Sequence, residues 1–271
     1  MDRTRPPIAK AAMSRGYFLA LILSLAALPV RAETVMACAD QAEMPPFVYA
    51  ERLNGQHTGR IIGASIDLLR RIGQRHGWDV QVELLPWARC LALVADHRVA
   101  FALNTSAADA RASGLQVSVP YFTMHNVYFY SRRARPMGLT LARLKDVRRY
   151  HVCGLGGYRF EPFGIATDSV DRGTTAGYEQ LIAKLHLGRC DLFIDSRETM
   201  AGQYLINPHL RALLVDGTLV SQPLPDSPRR ALYIAVADGA PASALLAKLN
   251  EGLQQLEKTH ELDKLLDHYL E

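Results

Sequence analysis

Residues 100–121 read AFALNTSAADARASGLQVSVPY, and the change of pattern inside this stretch decides the fold. Ala100 to Leu103 is an apolar run of the kind that makes a buried strand. Asn104, Thr105 and Ser106 end it. Ala107 to Ala110 make one helical turn, which Arg111 closes. Ser106 followed three residues later by Asp109 has the spacing of a capping box, with Asp in place of Glu. A helix that starts this way leaves backbone N–H groups pointing out of its end, where an anion can sit. Arg111, five residues beyond Ser106, is within reach of the same anion, and a guanidinium grips a carboxylate with two hydrogen bonds. An N-cap serine followed by a surface arginine is the plainer reading of the same residues.

On either side of this strand-to-helix unit the pattern repeats. Val35 to Ala39 reads as a short buried strand, and Glu43-Met44-Pro45-Pro46-Phe47 as an irregular loop. Ile66, Leu69 and Ile72 share one helical face between Ala64 and His76. Arg70, Arg71 and Arg75 lie on the other side, and Gly77 ends the helix. Val80, Val82 and Leu84 alternate as in a strand, and Pro86 opens a helix carrying Trp87, Arg89 and Cys90. Val127 to Ser131 is a further strand. The polar segment Arg132 to Gly138 suits a connection between two lobes. A second unit follows: a strand at Tyr150 to Gly154, a glycine-rich turn, a helix over about 176–187, a strand at Leu192 to Asp195 and a helix from Ser196. Arg230 to Ala237 is again a strand, and helices over about 242–256 and 260–269 end the chain. Alternating strands and helices predict parallel sheets with crossover helices, arranged as two α/β lobes.

Residues 1–32 stand apart. Arg3, Arg5, Lys10 and Arg15 precede an apolar stretch from Tyr17 to Val30, and Val30-Arg31-Ala32 fits a cleavage site. This is the pattern of a secretory signal peptide, and the mature chain is expected in the periplasm. The whole sequence has 31 Lys+Arg and 27 Asp+Glu. Without the leader, 26 basic and 26 acidic residues remain, so the basic pI belongs to the export signal and gives no support to nucleic-acid binding. In an oxidising compartment Cys38, Cys90, Cys153 and Cys190 are expected to form disulfides. Of three possible connectivities, Cys38–Cys90 and Cys153–Cys190 keep each bridge inside one unit. No two cysteines share a short zinc-ligand spacing.

Several residues sit where an open α/β sheet binds ligands, at the carboxyl ends of its strands. Asp195 ends a strand; it would meet an ammonium group or cap the next helix. Trp87 opens a helix after a strand; it would be a ligand wall or plain core. Gly154-Leu155-Gly156-Gly157 ends a strand but is neither G-x-G-x-x-G nor a phosphate loop, so no nucleotide cofactor is expected. The nine histidines show no H-E-x-x-H, and there is no G-x-S-x-G elbow.

Taken together, these motifs resemble the periplasmic solute-binding proteins of the polar amino acid uptake family. The likeness covers nearly all of residues 33–271. It rests on Pro46-Phe47, Gly63 to Leu69 (GASIDLL), the Ser106…Arg111 turn, Pro120-Tyr121, Gly156-Gly157-Tyr158, Gly188-Arg189-Cys190-Asp191 leading to Asp195, and the Ala231 to Ala237 return strand. The resemblance implies a type II periplasmic binding fold with two hinge strands: lobe 1 over 33–130, lobe 2 over 131–230, and a return to lobe 1 over 231–271. It also implies a monomer that binds an amino-acid-like solute and delivers it to an ABC transporter permease, with no metal or other cofactor and no catalysis. Arg111 would hold the ligand's carboxylate, helped by Ser106 and the Asn104 carbonyl. Gly157 and Tyr158 would donate from the second lobe, Asp195 would take the ammonium, and Trp87 would form a wall.

The sequence departs from the family pattern at three points. Met44 stands where an aromatic residue usually stacks on the ligand, Asn104 where glycine is common, and Ala100 where an aspartate usually precedes the strand. Glu43, beside Met44, would face a cationic ligand. Two rival expectations follow from the same scaffold. One is a cyclohexadienyl-dehydratase-like enzyme using Glu43 or Glu161 as acid or base. The other is a periplasmic sensor that presents ligand state to a partner.

Overall fold

The computed structural model describes residue 1 and residues 32–207, 209–210 and 217–269. The signal peptide expected over residues 1–32 lies almost wholly outside the described residues.

The first sheet is built from β1 (Glu33–Asp40), β4 (Trp78–Leu85), β5 (Phe101–Thr105), β6 (Gln116–Val117), β7 (Phe122–Met124) and β12 (Arg230–Val236). Its order is β4-β1-β5-β12-β6, with β7 also paired to β12. β4 and β5 run parallel to β1, whereas β12 runs antiparallel to β5. Crossover helices α1 (Ala64–His76) and α2 (Trp87–Ala95) link the parallel strands, and the short α3 (Ala107–Ala112) follows β5. A hairpin of β2 (Tyr49–Leu53) and β3 (Gln56–Ile62) projects between β1 and α1. It has no counterpart in the sequence reading, because its strands carry few buried apolar positions.

The second sheet is ordered β11-β8-β10-β9, from β8 (Asn126–Ser131), β9 (Val152–Cys153), β10 (Leu192–Ser196) and β11 (Leu219–Pro223). Helices α4 (Tyr178–His186) and α5 (Arg197–Ile206) flank β10 in sequence. The strand Asn126–Ser131 therefore belongs to the second sheet, ahead of the expected boundary at 130. The chain crosses between sheets near His125, so Arg132 to Gly138 is a turn within the second lobe and does not link the lobes. The return crossing lies between β11 and β12. The last helices, α6 (Ala240–Lys258) and α7 (Glu261–Asp267), pack onto the first lobe through Leu249, Leu253, Leu256, Leu262 and Leu265.

Each sheet is covered on both faces, as parallel sheets require. On the first, Ile66, Leu69 and Ile72 of α1 join the α6 leucines on one side, and Leu91, Val94 and Ala110 cover the other. In the second sheet, alternation along β8 sends Val127 and Phe129 to one core and Tyr128 and Tyr130 to the opposite one. Both expected disulfides are present, Cys38–Cys90 and Cys153–Cys190, with Cα atoms 5.8 Å apart in each. Each bridge ties a strand to a neighbouring segment of its own lobe.

Candidate functional site

A cavity of about 450 Å³ lies between the two sheets. The first lobe contributes Ala39 and Asp40 from the end of β1, Met44 and Pro45 from the following loop, Trp87 from the start of α2, and Leu103 and Asn104 from the end of β5. The second lobe contributes Tyr158, Phe163, Asp195 at the end of β10, and Thr199 and Gln203 of α5. Thr199 and Gln203 are four residues apart and so share a helical face. The strand ends place these groups together, as expected of open α/β sheets.

Of the residues singled out from sequence, Glu43, Met44, Trp87, Asn104, Tyr158 and Asp195 line this cavity. Ser106, Arg111 and Gly157 do not. Ser106 caps α3: its Oγ accepts from the Asp109 N–H at 3.0 Å and donates to Asp109 Oδ2 at 2.8 Å. Asp109 lines the cavity, and Arg111, two residues on, lies about 200° further round the helix. Arg111 is exposed, and its side chain makes no hydrogen bond or ion pair among the described residues. Gly157 is an exposed turn residue with φ 81°; it borders a separate shallow depression with Asp171 and Arg172. The plainer reading of the Ser106…Arg111 turn is therefore the one the geometry supports.

Glu43 is not free to meet a cation. Both its oxygens are held by the Arg52 guanidinium, at 2.9 and 3.0 Å, and the pair fastens the loop to the hairpin. Glu161 lies outside the cavity and is exposed, accepting from the Thr167 hydroxyl. Asn104 adopts φ 56°, a left-handed conformation that glycine and asparagine tolerate best; this explains why asparagine can stand at a position where glycine is common. Its Oδ1 accepts from Ser65 Oγ at 2.8 Å and from the Tyr121 hydroxyl at 2.5 Å, leaving Nδ2 without a partner among the described residues.

Asp195 is buried, with 4% of its surface exposed. Its Oδ1 accepts from the Ser196 N–H at 2.7 Å and its Oδ2 from the Tyr178 hydroxyl at 2.6 Å. The Tyr158 hydroxyl is 3.1 Å from that of Tyr178, whose proton is committed to Asp195, so Tyr158 donates. Burial raises the Asp195 carboxyl above the ordinary aspartate range, while the two hydrogen bonds and the charge of Arg230 pull it down. Burial, with the nearby Asp195 charge, pushes Tyr158 up to about 12. The helix after Asp195 is capped by Ser196 instead, which accepts from the Thr199 N–H.

The sequence reading passed over Arg230. It begins the return strand β12, where Arg229-Arg230 looks like the polar end of an apolar run. Its Cα pairs with Met124 of β7 in the first sheet. Its guanidinium carbon lies over the Phe163 ring, 4.5 Å from the centroid, and the residue lines the cavity. A charged residue opening a strand at the second crossing between lobes was the available signal. Asp40 and Phe163 were passed over as well.

The sequence profile of the bacterial extracellular solute-binding proteins, family 3, matches residues 36–271. The chain belongs to that family. Solved structures agree with the family fold. An amino acid ABC transporter substrate-binding protein, AbpA, from Streptococcus pneumoniae bound to L-arginine superposes with a TM-score of 0.62 at 18% identity, over 88% of this chain and 94% of that one. An ABC uptake transporter substrate-binding protein from the same organism, with bound histidine, gives 0.61 at 17% identity over 87% and 92%. A histidine kinase sensor domain similar to periplasmic binding proteins gives 0.60 at 21% identity over 89% and 97%. No curated protein matches the sequence. This family 3 member thus has the type II periplasmic binding fold. None of its described helices is long and apolar enough to cross a membrane.

Proposed function

We propose that this chain is a periplasmic binding protein that takes up a small amino-acid-like solute in the interlobe cavity and delivers it to an ABC transporter permease, without chemical conversion. The observation that carries the reading is a cavity of about 450 Å³ to which both lobes contribute polar groups, over two chain crossings that can act as a hinge. Solute contacting both sides stabilises the closed arrangement by its extra contacts there. Asp195 takes the ammonium group, with Tyr158 beside it. Trp87 and Met44 supply the apolar wall, and the Asn104 amide nitrogen donates to the solute. The two disulfides lie within lobes and leave the hinge free, and their presence agrees with an oxidising compartment.

Catalysis on this scaffold would need a carboxyl group poised over the solute. Glu43 is locked to Arg52 and Glu161 lies outside the cavity, which counts against a dehydratase that uses either of them as its acid or base. A thermal-shift screen against the twenty amino acids, polyamines and small organic acids tests the proposal. A true solute at a hundredfold excess over its dissociation constant stabilises by about 2.7 kcal/mol. A flat response across the panel, or turnover of prephenate or arogenate, contradicts it.

A further inference from the structure

We infer that Arg230, and not Arg111, is the anion anchor of this binding site, holding the solute's carboxylate at the hinge. The inference rests on the solute-binding reading above. A half-buried guanidinium is costly unless something answers its charge. Arg230 lines the cavity over Phe163, yet it has no carboxylate within ion-pair distance and no hydrogen-bond acceptor among the described residues. The nearby carboxylates are Asp195, whose two oxygens already accept from Tyr178 and Ser196, and Glu198, which accepts from the His125 N–H and from Arg197. An aromatic ring against a guanidinium supports it by cation–π attraction and leaves in-plane N–H donors for a planar, bidentate acceptor. A carboxylate has that shape.

Position adds a second argument. Arg230 is the first residue of the return strand in the first sheet, where it pairs with Met124, and its guanidinium rests on Phe163 of the second lobe. A carboxylate bound there touches the strand that joins the lobes. Arg159 also lines the cavity, but it is largely exposed and lies 3.8 Å from Glu161; Arg230 and the buried Asp195 are not paired with each other and together match a zwitterion. Arg111 offers neither burial nor access to this cavity.

The test uses the full mature chain and calorimetry with the panel amino acid that gives the largest melting shift, together with its carboxamide. Arg230→Met keeps an apolar side chain over Phe163 and should weaken binding about a hundredfold, with a circular dichroism spectrum like that of the parent. Arg111→Ala should bind within threefold of the parent. Amidating the ligand's carboxylate should weaken binding to the parent protein by a similar factor but add little further loss in Arg230→Met, since both changes remove one interaction. Near-parental affinity in Arg230→Met, or loss of binding in Arg111→Ala alone, overturns the anchor while leaving the solute-binding reading in place. If no panel amino acid binds the parent protein, the reading falls and the anchor with it.

Discussion

Gly202 of α5 lies against the backbone of Pro45, so the second lobe touches the first through a residue with no side chain. A Cβ at Gly202 would overlap the Pro45 carbonyl group and come within 2.5 Å of the Pro46 nitrogen. Gly202 is buried, and its neighbours Thr199 and Gln203 line the cavity. The lobes can approach this closely only because nothing projects from the helix here.

Gly202→Ala should therefore wedge the lobes apart. In a helix interior the change to alanine ordinarily stabilises by about 1 kcal/mol, so the unliganded protein should melt no lower than the parent. Solute affinity should fall at least tenfold. Small-angle scattering should show no contraction on adding solute at concentrations that contract the parent. A variant that binds and contracts like the parent would show that this contact is not part of the closed form.

Asp195 gives a pH dependence with a defined sign. Its carboxyl titrates above the usual aspartate range because it is buried. The native state thus keeps a proton that the unfolded chain has already released, and stability contributed by this group falls as pH rises from the ordinary aspartate value through the raised one. Asp195→Asn removes that cost at neutral pH, and thermal melts at pH 7 should show a variant at least as stable as the parent. Binding moves the other way. An ammonium group needs the ionised carboxylate, so affinity in the parent should drop on acidification, beginning above the pH where an ordinary aspartate protonates. Titrations in Asp195→Asn should be weak and should lose that pH dependence.

Trp87 should report solute by fluorescence. The chain has two tryptophans; Trp78 is buried in the first core at 6% exposure, whereas Trp87 lines the cavity. Solute should change the emission of the parent and of Trp78→Phe, and leave that of Trp87→Phe unchanged. A signal that persists in Trp87→Phe places the solute elsewhere or reports a wider rearrangement.

The disulfides should matter for stability more than for recognition. Bridges across 52 and 37 residues restrict the unfolded chain by about 4 kcal/mol each in the loop-entropy treatment. Cys153→Ser with Cys190→Ser should lower the denaturation free energy by a few kcal/mol. Folded variant protein should bind solute with near-parental affinity, because neither cysteine lines the cavity.

Much of this fold was legible because its signals are local. Helical spacing of Ile66, Leu69 and Ile72, alternation in β4, and Pro86 before α2 each act over a few residues. The disulfide pairing followed from placing each cysteine on an element. The hairpin β2–β3 was missed because its strands are mostly exposed and lack a hydrophobic rhythm. The boundary near residue 130 was misplaced because β8 looks the same from sequence whichever sheet it joins; its partners, β10 and β11, lie more than sixty residues downstream. Asp195 and Trp87 could be placed at the cavity because strand and helix ends mark the ligand edge, whereas Met44 was placed there by the resemblance to the family. The position of Arg111 away from the cavity was not legible because a five-residue spacing does not say which side of a six-residue helix faces the cleft, and the position of Arg230 on the cavity wall was not legible because it rests on Phe163, which lies 67 positions earlier in the chain.

Calorimetry with the amino acid that gives the largest melting shift, run beside the analogue lacking its α-amino group, tests the central claim most directly. We predict one amino acid bound per chain and an analogue weaker by about thirtyfold or more, the ratio that about 2 kcal/mol gives. An analogue that binds as tightly as the amino acid, or the absence of any amino acid binding, would contradict a cleft built for a zwitterion.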